Sequence, residues 1–150
     1  MAAFSILLQR ASVGQNCPSP AAVYRYDPSA SKLEGTLSKR QVFGPPGYGE
    51  SPRIDSKAAI FVLKLRCPID VEPEPDAKAP YNSNLNYVRA ITEIQLLLDG
   101  KDQVLFAKRH LGKDAVVRGK LEEGVTAGEY TKVTLQVEQL TPSHKRQDKK

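Results

Sequence analysis

Short segments of strictly alternating character recur along this chain in the order three, a connector of helical spacing, then two. That order restricts the available folds more than any other feature. From Lys32, Leu33, Gly35 and Leu37 alternate with Glu34, Thr36 and Ser38, which predicts a first strand. Residues 59–69 place Ala59, Phe61, Leu63, Leu65 and Cys67 on one face, while Ile60 and Val62 share the other with Lys64 and Arg66. This second strand is expected to be central, partly covered on both sides and ended by Pro68. Residues 87–98 give a third strand, with Val88, Ala90, Ile94, Leu96 and Leu98 set against Arg89, Glu93 and Gln95, before a turn at Asp99-Gly100. Val104, Ala107 and Leu111 then fall at spacings of three and four, so one or two helical turns are expected, with Asp102 as N-cap and Gly112 as stop.

Alternation resumes in residues 113–122, where Ala115, Val117, Gly119 and Leu121 oppose Val116, Arg118 and Lys120. It returns in residues 130–140, where Val133, Leu135 and Val137 oppose Thr134, Gln136 and Glu138. Residues 124–128 join these two strands as a hairpin loop. Interior glycines suit strands that bend around a small barrel. The expected fold is all-β: a small five- to six-stranded OB-like barrel with one short helix, whose closure hides most strand edges. An open β-sandwich is the structural alternative.

At 150 residues the chain has material for one core, which divides it into three parts. Residues 1–16 read as a remnant export signal or a disordered N-terminus, because the apolar run from Phe4 to Leu8 is short, lacks a basic leader and ends at Gln9-Arg10. Residues 17–141 form the barrel domain, with residues 16–26 running extended over its surface. Residues 142–150 are a basic disordered tail that carries three of the five net positive charges. The body is therefore only mildly basic, which weakens any argument for nucleic acid from overall charge. No stretch approaches the roughly 20 apolar residues of a membrane-spanning helix. Residues 71–80, rich in proline and acids, are expected to form a long exposed connection.

The chemistry available to such a chain is limited. Only His110 and His144 offer an imidazole base; His144 lies in the tail, and His110 beside Arg109 reads as a solvated or helix-capping residue. No local hydrolase, zinc-peptidase or P-loop signature occurs, so no catalytic residue, metal ligand or cofactor is assigned. Glu122-Glu123 and Glu72, Glu74 and Asp76 read as solvated charge. Cys17 and Cys67 lack a CxxC motif and nearby histidines. They stand as one disulfide if the chain is exported, closing a loop of about 50 residues worth roughly 4 kcal/mol in the chain-entropy account. In a reducing compartment they stand as two buried thiols.

The most distinctive local feature is the stretch from Phe43 to Pro52, with three prolines and three glycines. Its prolines limit the entropy lost on binding, its glycines expose backbone, and Tyr48 offers an amphipathic contact. Phe43, Pro46, Tyr48, Glu50 and Arg53 are the binding residues expected on this reading. On the other reading the loop is a rigid cap with Tyr48 packed down.

Leu33-Glu34-Gly35-Thr36-Leu37, the Gly-Pro-Pro-Gly-Tyr-Gly-Glu-Ser loop at 44–51 and Phe61-Val62-Leu63-Lys64-Leu65-Arg66-Cys67-Pro68-Ile69 together resemble an uncharacterised bacterial exported family, known only as a domain of unknown function with an OB-like barrel. The segment from Val88 to Leu98, Leu111-Gly112-Lys113 and Val117-Arg118-Gly119-Lys120-Leu121 extend the resemblance over residues 17–140. It implies an exported protein and a Cys17–Cys67 bridge. Such proteins tend to carry histidines in the last hairpin loop; here that loop reads Thr126-Ala127-Gly128-Glu129-Tyr130-Thr131, so any role of those histidines does not carry over.

Two functions follow as expectations. The first is a non-enzymatic periplasmic or secreted binding module, of inhibitor or immunity type, that recognises a protein partner through the Pro/Gly-rich loop. The alternative is an OB-type binder of single-stranded nucleic acid, using a stripe of Lys39, Arg40, Lys64, Arg66, Arg118 and Lys120. That alternative is the weaker one, because no interleaved aromatic platform is evident: Tyr24, Tyr26 and Tyr48 lie outside the predicted strands, and Tyr81 and Tyr87 flank the third.

Overall fold

The computed structural model describes residues 16–77 and 84–144. The expected N-terminal remnant up to residue 15, residues 78–83 of the exposed connection and residues 145–150 of the basic tail lie outside the described residues. Six strands and one helix follow in order: β1 (Ala22–Arg25), β2 (Ala30–Phe43), β3 (Lys57–Glu72), β4 (Val88–Leu97), α1 (Gly100–Arg109), β5 (Asp114–Glu123) and β6 (Val133–Pro142).

Five of these strands close into a ring. β2 pairs with β3, β3 with β4, β5 with β6 and β5 with β2, all antiparallel, and β4 pairs with β6 in parallel to complete the circuit. The small all-β fold with one short helix is the one expected, and its strands form a closed ring. Inside the ring, Leu33, Leu37, Leu63, Val71, Ile94, Val117, Leu121 and Leu135 belong to one buried apolar cluster. These are the alternating positions of their strands, so burial of one face drives both strand formation and register.

Ring closure depends on two glycines at close approaches. β2 pairs with β5 through Thr36 and with β3 from Gly35 onward, so the strand changes partner at this point. A Cβ on Gly35 would stand 2.3 Å from the Lys64 carbonyl oxygen. A Cβ on Gly119 would stand 2.0 Å from that of Gln136, beside the register shift between Arg118 and Gly119. Any side chain at either place would push neighbouring strands apart.

Several expectations are corrected. Pro68 does not end its strand: β3 continues to Glu72, leaving β2 after Leu65 and meeting β1 from Ile69. Pro68 falls between these partners and within the register shift against β4, where its missing N–H forfeits no ladder bond. Part of the segment expected to run over the surface is a true strand, β1, parallel to the end of β3. Tyr26, next to it, is fully buried in the core.

In β4 the alternation slips. Ala90 takes a left-handed φ of 54° and is exposed, so Ile91, rather than Ala90, enters the core. The helix begins at Gly100, two residues before the expected cap, and Asp102 lies in its first turn. β6 begins at Val133, which leaves Tyr130 in the hairpin loop, and runs through Pro142. Cys17 and Cys67 are joined in a disulfide, tying the segment before β1 to β3.

Candidate binding surface

The loop between β2 and β3 is built around one carboxylate. Gly44 donates to the Ser56 carbonyl at 2.8 Å and Ser56 donates to that of Pro45 at 2.9 Å, which closes the neck of the loop. Inside it, Asp55 is 7% exposed and accepts three backbone hydrogen bonds: Gly47 N–H at 2.7 Å on Oδ1, and Gly49 and Ser51 N–H at 2.8 and 3.0 Å on Oδ2. Desolvation by burial acts to raise the pKa of the Asp55 carboxyl, but the amides of Gly47, Gly49 and Ser51 outweigh it and hold the group below the ordinary carboxylate value. Proline and glycine remove regular structure here, and Asp55 replaces it with a fixed shape.

That shape presents apolar surface outward. Tyr48 is 43% exposed with φ of 51°, and Ile54 is 70% exposed. Tyr48 is therefore not packed down as a cap. Pro46, Glu50 and Arg53 are also exposed. Phe43 differs from the other expected binding residues: it is the half-buried last residue of β2, and its carbonyl accepts the Tyr130 hydroxyl at 2.6 Å. Ile54 and Tyr130 complete the surface and Asp55 supports it from within; none of the three was singled out by sequence. The available signal was a lone aspartate just beyond a glycine-rich run, a residue type suited to collecting free loop amides.

Tyr130 belongs to a second anchored loop. Gln95, buried on β4, donates to the Gly128 carbonyl at 3.0 Å and accepts the Tyr130 N–H at 2.7 Å, while its own N–H donates to Thr131 Oγ1 at 3.0 Å. The β5–β6 loop therefore lies against β4. Val62, Gln95 and Thr134 are cross-strand neighbours that share the face opposite the core, and all three are nonetheless buried. The middle of that outer face is closed to solvent. Beside it opens a groove of about 310 Å³ lined by Arg40, Arg89, Glu93, Tyr130, Thr131 and Lys132, among others.

Several surface cations are paired with carboxylates. Arg40 pairs with Glu93, Arg66 with Asp114 at 2.5 Å and Glu34 at 3.4 Å, and Lys120 with Asp27 at 3.0 Å. The hydrogen bond to Asp27 and its charge hold the Lys120 ammonium above its ordinary pKa. Three residues of the stripe expected to attract nucleic acid, Arg40, Arg66 and Lys120, are thus engaged in ion pairs. Of the acids read as solvated, Glu72 and Glu74 pair with Arg25 at 2.9 and 3.6 Å. His110 occupies the C-cap of α1, with Nδ1 at 2.8 Å from the Phe106 carbonyl and its ring stacked on Phe106. Among the described residues, no group of three or more His, Cys, Asp or Glu side chains is placed to hold a metal ion.

No protein-family profile, curated protein or solved structure matches the chain.

Proposed function

We propose that this protein is a non-enzymatic binding module, exported to the periplasm or secreted, that recognises another protein through residues 44–56 and acts as an inhibitor or immunity-type partner. One observation carries the reading: Asp55 fixes three loop amides while Tyr48 and Ile54 are left to solvent. A loop already held in shape loses little entropy on docking, and an exposed aromatic beside an exposed branched aliphatic supplies apolar area to bury. The disulfide is compatible with an oxidising compartment, and no helix among the described residues is long and apolar enough to cross a membrane. Membership in the exported bacterial family that the sequence resembles is part of this proposal. A protein partner is preferred to single-stranded nucleic acid because Arg40, Arg66 and Lys120 already meet carboxylates.

The test is capture on immobilised protein from the source cells and their medium, compared with a Tyr48→Ala/Ile54→Ala variant of matched Tm. A stoichiometric protein retained by the native chain and lost from the variant is expected. Absence of any stoichiometric protein, or equal retention by both, overturns the proposal.

A further inference from the structure

The groove beside the β5–β6 loop holds three cations and one carboxylate, and the cations are not equivalent. Arg40 is engaged by Glu93. Arg89 and Lys132, both exposed, have no ion pair among the described residues. Arg89 comes from the start of β4, where the left-handed turn at Ala90 breaks the alternation, and its guanidinium lies 4.9 Å from the centre of the Tyr87 ring. Lys132 leaves the loop that Gln95 and Thr131 hold against β4. Both cations therefore project from anchored backbone. The groove is linked to the Asp55 loop through Tyr130, which lines it and donates its hydroxyl to the carbonyl of Phe43, whose ring borders Gly49.

We infer that this groove receives the carboxylate side chains of an acidic segment of the protein partner, with Arg89 and Lys132 as the receiving charges. The inference rests on the proposed docking at residues 44–56 and extends that surface from an apolar loop into a cationic rim. The Arg89 guanidinium fork and the Lys132 ammonium can each meet one side-chain carboxylate spaced along a peptide. A single strand of nucleic acid would need successive ring faces for its bases, yet Tyr130 is the one aromatic side chain lining the groove, and Tyr87 beside it already carries the Arg89 guanidinium over its ring.

The experiment needs no identified partner. The folded chain is titrated with a capped hexaglutamate peptide and, separately, with hexathymidylate, and backbone amide shifts are followed by NMR. Two charge-matched variants are compared: Arg89→Gln/Lys132→Gln, and Lys108→Gln/Arg118→Gln as a control. Saturable shifts with the peptide at Thr92, Thr131 and Lys132 are expected, weakened about tenfold by the first variant and unchanged by the control, as for the loss of two exposed charge pairs. Peptide shifts spread over the surface, equal loss in both variants, no saturation, or tighter groove-dependent binding of hexathymidylate would each overturn the inference. None of these outcomes bears on the role of Tyr48 and Ile54, which partner capture tests by itself.

Discussion

At the scale of single residues, the side chains that organise this molecule are polar groups placed where water is scarce. Tyr26 is fully buried and its hydroxyl donates to the Asn86 carbonyl at 3.1 Å. Burial, followed by the nearby Glu123 carboxylate, pushes its pKa up to about 12 from an ordinary value of 10.0. The folded state therefore favours the neutral phenol. Its contribution is complete below the unfolded value and is lost as pH rises through the folded one. Tyr26→Phe is expected to cost about 0.5–1.5 kcal/mol at neutral pH. Its urea-measured stability should also fall less steeply than that of the native chain over the interval between those two pKa values. Tyr26 was hidden in the sequence because it follows a stretch rich in proline, serine and alanine with no periodicity. Its burial depends on β1 aligning with β3 and on an isolated bridge to Leu121, contacts distant along the chain.

At the scale of elements, alternation revealed the five ring strands because each buries one face, and it failed where backbone irregularity or a polar anchor took over. The phase slip at Ala90 is invisible to a period-two reading, as is the passage of β3 through Pro68, since both depend on which strand lies alongside. The Pro/Gly loop was evident as a loop and as a binding candidate. Its dependence on Asp55 was not, because three amides converge on a residue that lies beyond the run itself. The β5–β6 loop was likewise located but not its support, since Gln95 sits among polar positions of β4 and gives no sign of burial. Gln95→Ala would leave the Tyr130 N–H and the Gly128 carbonyl without their partner. It is expected to destabilise the protein by about 1–3 kcal/mol, with faster hydrogen exchange at Tyr130 and an otherwise unchanged strand pattern.

For the whole molecule, the disulfide and the ring make separable contributions. Cys17–Cys67 spans 50 positions and joins the segment before β1 to β3, whereas the core cluster contains neither cysteine. Cys17→Ser/Cys67→Ser is expected to fold into the same barrel with about 4 kcal/mol less stability in the chain-entropy account. Denaturant titration of both proteins, with far-ultraviolet circular dichroism to confirm retained strand content, measures this. Both cysteines stand out in the sequence, but the choice between a bridge and two thiols could not be made from spacing, because pairing depends on where the chain turns back beside β3.

The parallel seam between β4 and β6 has a consequence for biosynthesis. Because the final ladder of the circuit is supplied by Val133–Pro142, a chain emerging from the ribosome has no means of shutting the ring until nearly the whole barrel has been translated. Until then its inward-facing side chains stay accessible and its outer strands lack their last neighbours. A nascent polypeptide in that condition lacks the closed circuit on which its resistance to unfolding depends.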